Sequence, residues 1–97
     1  MSKERKEHDH LYLCLGEVIQ KRRRQLKLSQ EELSRRASIN RPFLSNVEQG
    51  KRNPSIGALT SIAEGLETRV SKLMLSCEEC IKERQDSGTL SGGLAEA

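Results

Sequence analysis

Asn40, Arg41, Ser45, Asn46 and Gln49 crowd into one short stretch, INRPFLSNVEQGKRNPS. These side chains do not cut or transfer bonds. Arginine, asparagine and glutamine are the forked hydrogen-bonding groups that pair with guanine and adenine edges in a nucleic-acid groove, and serine adapts to either. Arg41, Ser45 and Gln49 follow at four-residue steps, which draws them into one line along a helix, with Asn46 adjoining. Leu44 and Val47 take the opposite, apolar side. Asn40, just ahead of the helix, stands near the groove entrance. Asn40, Arg41, Ser45 and Asn46 are therefore the candidates for base edges, while Pro42 cannot donate and Phe43 offers at most an apolar contact.

Charge supports a polyanionic partner. The chain of 97 residues carries a net charge of only +3. Residues 21 to 52, however, hold ten Lys/Arg against three Glu, whereas four basic residues face seven acidic ones from Glu64 onward. An asymmetry of this kind directs the middle of the chain toward a polyanion and its acidic end away. Catalysis finds no footing: there is no Gly-rich phosphate loop and no Ser-His-Asp set, and the pairs Glu31-Glu32 and Glu78-Glu79 are adjacent and diverge on exposed faces. No cofactor is expected.

The elements that position these residues are helical. Aromatics are 2% of the chain and apolar residues 34%, so an aliphatic core is expected, built from Leu, Ile, Val and Ala. Residues 1–10 are charged and lack apolar periodicity, which reads as a mobile tail. From Leu11, Leu15, Ile19, Arg23 and Leu26 share one face of a first helix, with Val18 beside them; Arg23 is a charge on that inward stripe and needs a partner. Ser29 stands three residues before Glu32, a capping box that opens a second helix over about Gln30 to Ala37. A third helix begins near Arg41, with Pro42 in its first turn, and stops at Gly50. Ser55 caps a fourth, which buries Ile56, Leu59, Ile62, Ala63 and Leu66. A fifth starts about Val70 and can continue through SCEECIKERQ, after which DSGTLSGGLAEA is flexible. The expected fold is all-α, a compact bundle of five short helices, with residues 11–76 as the domain and 77–97 as an extension.

The second and third helices, joined by about three residues, have the shape of a helix-turn-helix. Gln30-Glu31-Glu32-Leu33, Ser45, VEQG, RNPS and LTSIAEGL, in that order, resemble the lambda-repressor-like helix-turn-helix proteins over roughly Leu15 to Leu75. INRPFLSNVEQGKRNPS is most similar to the small controller proteins of restriction-modification systems. The resemblance implies that Arg23 pairs with Glu48 as a structural ion pair and that Gln30 clamps a phosphate. One departure stands out: Ser38 occupies the turn position where the family has Gly, a left-handed conformation costing a residue with a Cβ roughly 1 kcal/mol. Phosphates suit the free N–H groups at helix N-termini and the neighbouring loops, so Ser29 joins Gln30, and Lys51, Arg52, Asn53 and Ser55 are expected on the other side. Arg22 and Arg24 are expected in solvent or at flanking phosphates.

One helix-turn-helix of this size buries too little surface to be specific alone, so a homodimer on a pseudo-palindromic site of double-stranded DNA is expected. The spare apolar residues Val70, Leu73, Leu75 and Ile81 are the candidate interface. The resulting function is sequence-specific transcription regulation. An alternative is an antitoxin-like module whose extension from Cys77 to Ala97 binds a protein partner. Cys14, Cys77 and Cys80, in a chain without a secretory signal, are expected to be reduced. Cys77-Glu-Glu-Cys80 is half a zinc site at most, so no metal is assigned. No apolar run reaches the roughly 18 residues of a membrane span, and the cytoplasm is the expected location.

Overall fold

The computed structural model describes residues 2–88, with side-chain surroundings for 10–85. Five helices follow in order: α1 Ser2–Gln25, α2 Gln30–Ala37, α3 Arg41–Glu48, α4 Ile56–Gly65 and α5 Val70–Gly88. No strand occurs among the described residues. α1 lies along α5 and also packs on α3; α2 packs on α4 and meets α3 at the turn. The fold is the all-α helix-turn-helix bundle.

Local hydrogen bonds set three of the helix starts. Ser29 Oγ accepts from the Glu32 N–H at 3.0 Å, and Glu32 Oε1 accepts from the Ser29 N–H at 2.8 Å. These bonds, the backbone one foremost, hold the Glu32 carboxyl below its usual range. Asn40 Oδ1 accepts from the Phe43 N–H at 2.8 Å and Ser55 Oγ from the Ala58 N–H at 3.0 Å. Each cap satisfies one of the N–H groups a helix leaves unpaired at its start. Pro42 sits in the first turn of α3, where a missing N–H costs nothing. The ends use left-handed residues: Lys27, Ser38 and Glu67 have φ of 60°, 56° and 58°, and Gly50 has 77°. Ser38 thus adopts the conformation its turn demands, despite its Cβ.

The core is aliphatic and continuous through all five helices. Cys14, Leu15 and Ile19 of α1 meet Leu33 and Ala37 of α2, Leu44 and Val47 of α3, Leu59, Ile62 and Ala63 of α4, Leu66, and Leu73 and Cys77 of α5. Ile56, expected inside, is 76% exposed because it occupies the first position of α4, ahead of the buried stripe.

Two expectations need correction. Residues 2–10 are helical, not a tail: the segment has no apolar stripe, but it also has no Gly or Pro, and its Lys, Glu and Arg are good helix formers. α5 runs without a break from Val70 to Gly88, through SCEECIKERQ, the continuation the sequence allowed. Residues 89–97, which belong to the segment expected to be flexible, lie outside the described residues. Finally, Cys14 and Cys80 are not free thiols. They form a disulfide between α1 and α5, with Cα atoms 5.7 Å apart, and only Cys77 is free, buried in the core.

Candidate nucleic-acid interface

α3 is amphipathic in the sense a reading helix requires. Leu44, Val47 and Glu48 are buried. Asn40 and Arg41 are exposed, and Ser45 and Asn46 are half-buried on the outer side. The side chains of Arg41 and Asn46 make no hydrogen bond within the described residues. Ser45 Oγ accepts from Gln49 Nε2 at 3.0 Å, and Asn40 caps the helix.

A buried ion pair fixes this helix against α1. Arg23 Nε donates to Glu48 Oε2 at 2.8 Å and Nη2 to Oε1 at 3.0 Å, while Nη1 donates to the Leu28 carbonyl at 2.8 Å. Gln30 Nε2 adds a fourth bond to Glu48 Oε1 at 3.0 Å. Both charges are 9% exposed or less, so each depends on this full set of partners. Gln30, expected at a phosphate, is thus tied to the pair, and sequence spacing held no sign of it. A second unforeseen support is Gly16. A Cβ there would come 2.4 Å from the Glu48 carbonyl oxygen and 2.6 Å from that of Val47, so only glycine lets α1 approach the end of α3 so closely.

The proposed phosphate residues divide. Lys51 and Arg52 are exposed, with the Arg52 guanidinium 5.8 Å from the centre of the Phe43 ring. Asn53 Nδ2 donates to Tyr12 Oη at 2.9 Å, which anchors the α3–α4 loop to α1. Ser29 and Ser55 are exposed at the N-termini of α2 and α4, their hydroxyls engaged as caps. Arg22, expected in solvent or at flanking phosphates, donates to the Leu66 and Glu67 carbonyls at 3.0 and 3.3 Å, and Arg36 donates to the Gly65 carbonyl at 3.0 Å. These bonds satisfy the carbonyls left open at the end of α4. The remaining basic residues of the central stretch, Lys21, Arg24, Lys27, Arg35, Arg41, Lys51 and Arg52, are all exposed. The positive balance therefore faces outward.

Of the four expected interface residues, Leu73 belongs to the core of the single chain at 3% exposure, whereas Leu75 is 58% exposed. Val70 and Ile81 are half-buried against the core. Two residues along a helix is a turn of about 200°, so Leu73 and Leu75 lie on opposite sides. Among the described residues no group of three metal-ligating side chains occurs, and no helix is long and apolar enough to cross a membrane.

Comparison with known proteins gives this arrangement its context. The helix-turn-helix family model matches residues 19–73. The immunity repressor protein of Bacillus phage phi105 is 33% identical over 73 residues, 75% of this chain and 50% of the repressor; the chain spans half the length of that relative. Among solved structures, the restriction-modification controller protein C.Esp1396I, a tetramer in complex with its natural 35 base-pair operator, superposes with a TM-score of 0.68. It is 28% identical, over 73% of this chain and 93% of the controller. The clp gene regulator ClgR of Corynebacterium glutamicum shares the fold at a TM-score of 0.80 and 20% identity, over 87% of this chain and 89% of its own. With more than half of its residues inside the family model and the capped α2–turn–α3 unit in place, the chain belongs to the helix-turn-helix family.

Proposed function

We propose that the chain is a sequence-specific DNA-binding transcription regulator of the cytoplasm, acting as a homodimer on a pseudo-palindromic operator with α3 in the major groove. The observation that carries this reading is the division of α3. Its inner side is locked by Leu44, Val47 and the Arg23–Glu48 pair, and its outer side offers Arg41, Ser45 and Asn46. A groove about 12 Å wide accepts such a helix, and those side chains match base edges. The controller protein that is 28% identical to this chain over the aligned residues was solved on an operator, which supports the same partner here. Lys51, Arg52 and the N-termini of α2 and α4 would grip phosphates.

Within α5, Leu75 is the exposed apolar side chain available to a second copy, and Ile56 is another at the start of α4. The role is one of binding, not catalysis. The antitoxin-like alternative needs an extension independent of the bundle, and α5 instead carries Cys77 to Gly88 along as one helix tied to α1.

Two variants test the reading. On a duplex enriched by the wild-type protein from a random-sequence pool, Arg41→Ala should lose about 1–3 kcal/mol of affinity and relax the preference at one position of each half-site. Arg52→Ala should weaken binding to enriched and scrambled duplexes alike and make the salt slope shallower by about one. Equal proportional losses on both duplexes for Arg41→Ala would remove α3 as the reading helix.

A further inference from the structure

Away from the reading face, the bundle holds a cysteine cluster that the DNA-binding reading leaves unused. The Cys14–Cys80 disulfide joins α1 to α5 across 66 residues of sequence. Its two sulfurs differ in access. Cys14 is fully buried, whereas Cys80 is half-buried at the wall of an open groove between α1 and α5, beside Glu17, Lys72, Ser76 and Glu83. A small thiol can therefore reach Cys80 first. The reduced state is also provided for, since Glu17 Oε1 lies 3.6 Å from Cys80 Sγ, within reach of the proton that reduction would place on that sulfur. Cys77, one turn earlier, stays out of the exchange. It is buried, its Sγ donates to the Leu11 carbonyl at 3.6 Å, and burial together with the Glu78 charge pushes its thiol pKa up.

The same turn of α1 that carries Cys14 holds the end of α3. Tyr12 bonds Asn53, Leu13 packs on Gly50, and Gly16 meets the Val47 and Glu48 carbonyls. A constraint on Cys14 is thus a constraint on the base of α3 and on the loop that follows it.

We propose that Cys14–Cys80 is a reversible redox site for a low-molecular-weight thiol of the glutathione type, and that the disulfide holds the turn of α1 that supports α3 in its DNA-binding arrangement. A thiolate attacks Cys80 Sγ, forming a mixed disulfide and releasing Cys14 as a thiolate. A second thiolate then attacks the mixed disulfide and releases Cys80. Two thiols are oxidised to one disulfide, and their two protons pass to Cys14 and Cys80. Intracellular disulfides outside hyperthermophiles are mostly transient, catalytic or sensing, which agrees with this assignment. The output of the switch rests on the DNA-binding reading; the chemistry does not.

The test equilibrates the purified full chain across ratios of reduced to oxidised glutathione. Alkylation with mass spectrometry follows the disulfide, hydrogen exchange follows α3, and titration with the pool-enriched duplex follows affinity. The Cys14–Cys80 link should titrate reversibly, and the disulfide form should bind about tenfold more tightly, within the usual range of coupling between sites. Protection of α3 should fall on reduction. Cys80→Ser, which spares the core, should behave as the reduced protein at every ratio, and Cys77→Ser should keep the response. Equal affinity of both forms, a response that survives Cys80→Ser, or no Cys14–Cys80 link at the most oxidising ratio overturns the proposal. If the pool yields no bound duplex, the DNA-binding reading fails by itself; the switch then stands if reduction lowers α3 protection and falls if protection is unchanged.

Discussion

α1 joins the rest of the molecule along two seams built from the same residue types and held by different physics. Toward α3, Arg23 and Glu48 form a pair with side chains 10% and 1% exposed, closed by the Leu28 carbonyl and Gln30. Toward α5, Glu17 and Arg84 also pair, but their side chains are 52% and 34% exposed beside an open groove. Water screens the second pair and leaves the first alone, so the two differ in consequence far more than in chemistry. The α5 seam depends instead on apolar packing by Leu73 and Cys77 and on the Cys14–Cys80 bond. Closing so long a loop is worth about 4 kcal/mol in the chain-entropy account. α3 thus sits on a seam that holds no redox group of its own, and α5 on one that solution chemistry can reach directly.

The strongest way to break this comparison is to remove one buried charge. Arg23→Ala and Glu48→Ala should each cost about 3–5 kcal/mol in denaturant unfolding, since each strands its partner. The double variant should cost much less than the sum. Additive losses would mean that the pair is not one unit. Gly16→Ala comes next, at about 1–3 kcal/mol, because a methyl group must force α1 away from two backbone carbonyls that cannot rotate aside. An unchanged melting temperature would show the α3 seam to be looser than its distances imply. Smallest should be Glu17→Ala, under about 1 kcal/mol. A loss as large as that of Arg23→Ala would put the α5 seam in the same class and end the distinction.

What could be read from the sequence followed the range of the interactions. Ser29, Asn40 and Ser55 act on backbone groups three residues away, and the capping box, Pro42 and Gly50 therefore marked α2, α3 and their ends from local pattern. Arg23 announced its need for a partner by lying on an apolar stripe. Glu48, 25 residues away, could be named only through a family resemblance. Cys14 and Cys80 are farther apart still, and nothing in CEEC directs either sulfur toward α1. Gly16 offered no clue, because a glycine that admits a neighbouring helix looks like any other glycine inside a helix. The start of α1 was missed for the opposite reason: charged residues can continue a helix without any apolar rhythm to report it.

The cap on α3 limits what its leading end can ask of DNA. Asn40 Oδ1 already accepts from the Phe43 N–H, which leaves both hydrogens of Nδ2 and one lone pair of the oxygen uncommitted. Ser45 Oγ already accepts from Gln49, which leaves its own proton to give, and Arg41 has nothing but donors. Under the DNA-binding reading, this end of the helix offers more free donors than free acceptors. It favours bases that turn acceptors into the major groove, guanine N7 and O6 or thymine O4, and it disfavours the amino groups of cytosine and adenine. Asn46, whose amide is uncommitted within the chain, is then the asparagine of the pair left to read an adenine with both of its arms.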